Sequence, residues 1–298
     1  MTGLHHKGAS NPERHLAASV EAYFLPADDC DASVVSTLSM AAAAREIAAH
    51  GLGIEIWPFE GSRAPFTAAA LAELAEVCKR APLATMHSGL EEWKPEALRR
   101  EIDLAARLGV EILVVHCGTL GLIGREGDWP AIRDLAARAR DGGFLLALEN
   151  SGKIGIAPLR RALEVLGDGP AATGVGFCID IGHAHRGHVL DGVPPVQYLD
   201  EFGRGIVELH LHDNFGTDDL HLVPGEGSLD WESVLPAMDA LPPRTVFCLE
   251  LKGTGHPLEL IRRSRTFIVK GLETARGRRG DHHGHPKTHG AGSHLGKG

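Results

Sequence analysis

The sequence predicts an α/β chain folded as a (β/α)8 barrel, a single domain with a tail that stands apart from it. Three observations carry that prediction. Short apolar runs alternate strictly with longer amphipathic ones, and eight such pairs fit between about residue 16 and residue 273. The apolar runs lack polar alternation, as strands of a parallel sheet buried on both faces do. Six successive runs end in a His, Asp or Glu at the same relative place. A doubly wound open sheet is the rival architecture. No GxGxxG follows the first strand and no GxxxxGK[ST] occurs, so nucleotide-binding versions of that rival gain nothing.

Residues 1–15 are polar and read as a flexible N-terminus. A first strand is expected over 18–25, closed by Pro26 and the aspartates after it. An Ala-rich helix over 36–53 follows, with Gly51 suited to its C-terminal cap. A strand over 54–57 stops at Pro58, and Thr67 caps a helix that runs to 80. The run at 83–88 is a strand ending in His87, and Pro95 opens a helix closed by Gly109. The strand over 110–118 ends in His116, and Asp128 caps the helix after it. The strand over 144–150 ends in Glu149 and Asn150, and a short helix spans 158–167. The next strand begins at 175 and ends in Asp180, with His183 just past it. A helix over 193–203 leads into the strand that carries His210, His212 and Asp213. The loop beyond holds Asp219, His221 and a Gly-rich turn, and a helix begins near Asp230. A last strand ends in Glu250 and a last helix spans 257–272.

From about residue 274 the composition changes to Gly, His and basic residues, too poor in apolar side chains to pack a core. The segment 274–298 is therefore expected to be disordered. Its His282, His283, His285, His289 and His294 can chelate metal or simply solubilise the chain.

The chain has 298 residues, 43% of them hydrophobic, and a net charge of −9 from 39 acids and 30 bases. That balance argues against broad nucleic-acid binding, which wants a basic face. Five cysteines without CxxC spacing fit a reducing compartment. No run has the character of a signal peptide or a membrane span, so a soluble cytoplasmic protein is expected. The sequence does not specify an oligomeric state.

In a barrel the C-terminal strand ends share one mouth, where function is carried. Here they offer His87, His116, Glu149, Asp180, His210 and Glu250, joined by His183, Asp219 and His221 from the following loops. Imidazole and carboxylate together suit Zn, Mn, Fe or Co, and spacing alone does not choose among them. Singly, each residue reads as an ordinary polar side chain at a strand end. Together, they predict a metal site. Trp57, at the end of the second strand, is placed to stack on a sugar ring or to pack as a rim aromatic.

The segments LALEN, FCIDIGHAH, HLHDNFGTDDLHLVPGEGSLDW and CLEL resemble the xylose isomerase-like TIM barrel superfamily, which holds sugar isomerases, epimerases and endonuclease IV. The resemblance to the isomerases implies a divalent ion (Zn, Mn, Co, Fe or Mg) on Glu149, Asp180, His210 and Glu250. It also implies that Glu149 and Glu250 shuttle a proton across a small sugar-like substrate. His183 would then hold a substrate oxygen or support the ligands, and His212 would meet a substrate anion. The resemblance to endonuclease IV implies nine ligands for three zinc ions. These fall on the same four residues with His87, His116, His183, Asp219 and His221, giving one to three ions per chain. That family's His-Ser-Gly-Gly segment and the lysine after its seventh strand are missing, since EAYFLPADD and Asp213-Asn214-Phe215 stand there. The leading expectation is a metal-dependent isomerase or epimerase of a sugar, sugar phosphate or sugar acid. A zinc-dependent phosphodiesterase is second, and a non-catalytic metal-binding protein is third.

Overall fold

Eight parallel strands close into one barrel in the order β1 to β8. The structure is a computed structural model, and it describes residues 15–24, 39–57, 67–122, 127–167, 169–252 and 256–282. The strands are β1 (Leu16–Ser19), β2 (Gly53–Ile56), β3 (Ala84–His87), β4 (Ile112–His116), β5 (Leu145–Glu149), β6 (Val175–Asp180), β7 (Ile206–Leu211) and β8 (Val246–Leu249). Each pairs with the next, and closure comes from β1 against β8, with Ala17 opposite Cys248. The helices are α1 (Met40–Ala49), α2 (Ala68–Arg80), α3 (Pro95–Leu108), α4 (Trp129–Asp141), α5 (Ala157–Leu166), α6 (Pro170–Thr173), α7 (Ile181–Asp191), α8 (Pro195–Phe202), α9 (Trp231–Met238) and α10 (Pro257–His282).

Two apolar cores hold this arrangement. The larger lies between barrel and helices and includes Ile54, Met86, Leu113, Leu148, Ile179 and Leu209 from the outward face of the strands. The smaller fills the barrel interior with Ala17, Leu83, Ile112, Val114, Ala147, Cys178, Val246 and Cys248. Side chains two apart on a strand share a face. Val114, Ala147, Cys178 and Cys248 therefore lie directly below His116, Glu149, Asp180 and Glu250. On these four strands the inward row thus begins in small apolar packing and ends in a ligand-type residue at the mouth.

The structure corrects several boundaries. The first strand is Leu16–Ser19 rather than 18–25, because the Ser19 hydroxyl accepts the Glu21 amide and turns the chain into a short 3-10 helix, Val20–Tyr23. The first helix begins at Met40, capped by Ser39 on the Ala42 amide, rather than at 36. A helix not expected from the sequence, α7, follows Asp180 at once, since that carboxylate accepts the His183 amide at 2.6 Å and caps it. The last helix runs to His282, past the boundary expected at 273. The tail histidines His283, His285, His289 and His294, the N-terminus to residue 14 and Pro26 lie outside the described residues.

Candidate metal centre

The strand ends place Glu149 at the hub of four histidines. One of its oxygens lies 3.1 Å from His87 Nε2 and 2.9 Å from His116 Nε2. The other lies 3.0 Å from His210 Nδ1 and 3.6 Å from His183 Nδ1. His210 Nδ1 is also 3.3 Å from Glu250 Oε2 and 3.8 Å from Asp180 Oδ2. One ligand atom from each of Glu149, Asp180, His210 and Glu250 falls within 4.8 Å of the others, and all four residues are buried. Asn150 fixes Asp180 from the neighbouring strand: it donates to the Asp180 carbonyl at 2.9 Å and accepts its amide at 2.8 Å.

A second group lies beside the first. His183, His212, Asp219 and His221 also bring ligand atoms within 4.8 Å. Asp219 reaches His221 Nε2 at 3.2 Å and His183 Nε2 at 3.4 Å. The His212 and His221 rings stack at 3.9 Å, 2° from parallel, and His212 Nε2 meets Asp180 at 3.1 Å. His221 takes a positive φ of 49°, in the left-handed region. A third group is His87, Glu149 and His210, with His116 on its flank.

Asp213 builds the loop that delivers Asp219 and His221. Its carboxylate accepts the amides of Asn214, Gly225 and Leu229 and the Trp231 indole N–H. Paired amide–carbonyl bonds of 2.9 Å between Asp213 and Leu222 close the loop's base. Gly227 must lack a side chain, because a Cβ there would sit 2.3 Å from Asn214 O.

The mouth opens on a cavity of about 270 Å³, lined by Trp57, His87, His116, Glu149, His183, Asp219, His221 and Glu250 among others. Asp180 and His210 are fully buried and are not among the residues that line it. His212, expected to meet a substrate anion, is fully buried against Gly182 and His221 and is not among the residues that line the cavity. Trp57 does line the cavity, edge-on to His87 at 5.8 Å.

Charge in the site is polarised. Burial would raise the Glu149 carboxyl, but the charges of His116 and His210 outweigh it and hold the group well below the usual range. Glu250 behaves likewise, with His210 outweighing burial. Burial opposes protonation of His183, yet Asp180 and Asp219 carry it up to about 10. Protonated imidazoles thus neutralise ionised carboxylates. A divalent cation fits the same donors, replacing protons that ligation would release. The buried Nδ1 of His212 has no hydrogen-bond partner among the described residues, as suits a ligand-type atom.

Sequence reasoning missed four acids of this site. Glu21 and Glu91 line the cavity, and Glu55 and Glu208 lie beneath it, fully buried. Glu55 and Glu208 were visible as lone acids inside short apolar strands. Glu21 was hidden by the expectation that the first strand continued through it. Lys153, Arg186 and Lys252 also line the cavity, and Arg186 pairs with Asp219 at 3.3 Å.

The family described as xylose isomerase-like TIM barrel matches residues 17–270. An uncharacterized protein, MJ1311 of Methanocaldococcus jannaschii, is 30% identical over 182 residues, which are 57% of this chain and 60% of that protein. The match thus spans somewhat over half the length of that curated relative. The crystal structure of a D-tagatose 3-epimerase-like protein superposes with a TM-score of 0.66 at 22% identity, covering 89% of this chain and 99% of that one. A crystal structure of the IolI protein with a zinc atom superposes with a TM-score of 0.60 at 16% identity, covering 88% and 99%. At these identities the two structures testify to the fold. Among the described residues no helix is long and apolar enough to cross a membrane.

Proposed function

The chain belongs to the xylose isomerase-like TIM barrel family, and on that premise we propose that it is a divalent-metal-dependent isomerase or epimerase of a small sugar-like substrate. One observation carries the reading. Glu149, Asp180, His210 and Glu250 bring four buried ligand atoms within 4.8 Å at the base of a cavity of sugar size. These residues would hold the ion. Once bound, it would polarise a substrate carbonyl and acidify the adjacent C–H. Zinc is supported by the IolI neighbour, whose crystal structure holds a zinc atom, and the donor set equally accepts Mn, Co or Fe.

The chain's own groups then move the proton. Glu149 lines the cavity, so its carboxylate can accept a proton from a substrate carbon within reach. Glu250, on the cavity wall, serves the opposite face. His183 donates to a substrate oxygen, and Trp57 packs against the sugar face. The test is incorporation of solvent deuterium into product, read by mass spectrometry across a panel of sugars. Glu149→Gln and Glu250→Gln should each cut the exchange by about 10²–10⁴-fold while leaving the fold intact. Full exchange in either variant refutes the assignment.

The second group favours a further reading. His183, His212, Asp219 and His221 would be more ligand-type residues than substrate hydroxyls need, and they support a second ion and metal-assisted hydrolysis of a phosphodiester. An abasic-site duplex tests it. The leading reading predicts little or no incision. Efficient incision, lost on chelation and in His87→Ala, would reverse the order.

A further inference from the structure

His210 is used from both sides of its ring. Nδ1 faces the three carboxylates at the mouth. Nε2 faces inward and lies 3.1 Å from Glu55 Oε2. Glu55 sits on β2 inside the barrel, with both it and His210 at 0% exposure. Its other oxygen is 3.7 Å from the Cys248 thiol. The nearby Glu208 accepts the Thr85 hydroxyl at 3.1 Å through Oε1, and its buried Oε2 has no hydrogen-bond partner among the described residues, so the hydrogen bond to His210 Nε2 is made by Glu55.

We propose that Glu55 is a positioning residue for the metal centre: it accepts the Nε2–H of His210 and so aims the Nδ1 lone pair at the ion. The proposal rests on the reading of His210 as a ligand. A buried carboxylate is costly unless it is paired, and an apolar side chain would fill the same space. A carboxylate on the far nitrogen of a metal-binding imidazole fixes its tautomer and raises its basicity. The geometry of Glu55 provides that, since a proton held on Nε2 leaves Nδ1 unprotonated where Glu149, Asp180 and Glu250 converge. The alternative is an ion within the core itself, as ligand atoms of Glu55, Glu208 and His210 also fall within 4.8 Å. Serving two ions would strip both protons from one imidazole, so the structure favours the hydrogen bond.

Cobalt(II) is the probe, in the full-length chain with His282, His283, His285, His289 and His294 changed to alanine. Affinity is measured by competition with a chromophoric chelator, and the visible cobalt spectrum is recorded for the same samples. Glu55→Gln keeps an acceptor for Nε2–H and should lose about tenfold in affinity. Glu55→Met removes the acceptor and should lose about 100-fold, with a shifted cobalt band. Melting of the ion-free proteins reports folding separately. Unchanged affinity and spectrum in both variants would overturn the proposal and leave Glu55 a packing residue. A cobalt count that falls in Glu208→Gln would overturn it in favour of an ion in the core. A wild-type chain that takes up no cobalt, or an His210→Ala chain that binds as wild type does, would instead remove the metal reading beneath it.

Discussion

Gly182→Ala should disable the second ligand group while leaving the barrel folded. Gly182 lies in the first turn of α7, and a Cβ there would fall 2.0, 2.4 and 2.6 Å from three atoms of the His212 ring. Carbon atoms pack at about 3.5–4.0 Å, so the ring and helix must part by roughly 1.5 Å. The ring has no room to retreat, because His221 stacks on it at 3.9 Å and Asp180 holds its Nε2 at 3.1 Å. Overpacking of this kind costs about 1–3 kcal/mol. Replacing a helical glycine by alanine returns about 1 kcal/mol, so the net loss is roughly 0–2 kcal/mol. In a domain of this size, that lowers the melting temperature by no more than about 8 °C. The larger effect falls on metal retention, because His212 and His221 must both move. Gly187→Ala in the same helix is the control, since its Cβ would meet the Tyr198 hydroxyl at 3.3 Å and Gly155 Cα at an ordinary 3.7 Å. The assays are thermal unfolding and metal content for both variants. A Gly182→Ala protein that melts and retains metal as wild type does would refute the packing argument.

Asp213→Ala strips the acceptor from three amides and the Trp231 indole, and should cost upward of about 3 kcal/mol in urea unfolding. Asp219→Ala combined with His221→Ala should lower metal content by at least one ion per chain without changing the secondary structure seen by circular dichroism; an unchanged count leaves a single-ion site.

The barrel was legible because each element announced itself locally. Apolar runs without alternation, Thr67 and Asp128 at helix starts, and Gly109 at a helix end agree with one architecture. The ligand-type residues were legible because parallel strands bring their C-terminal ends to one rim, so His87, His116, Glu149, Asp180, His210 and Glu250 needed only correct strands to converge. What failed depended on capping and depth. Asp180 reads as a strand end, yet its carboxylate also starts α7, which rotates His183 toward Asp219. His212 was expected at a substrate anion only through the family resemblance, which carries no information on depth. Its depth is set by the missing side chain of Gly182, and it packs behind Asp180 instead. Glu55 was passed over because a single acid in a short strand has no local signal of what lies across the barrel from it.

The central claim is that Glu149, Asp180, His210 and Glu250 hold a divalent ion, and metal content tests it most directly. Protein purified without added metal, with the tail histidines replaced by alanine, is measured by elemental mass spectrometry beside Asp180→Asn and His210→Ala. The account predicts at least one tightly held ion per wild-type chain, and a fall of about one ion or more in each folded variant. A wild-type chain free of metal, or variants that keep the wild-type count, would contradict it.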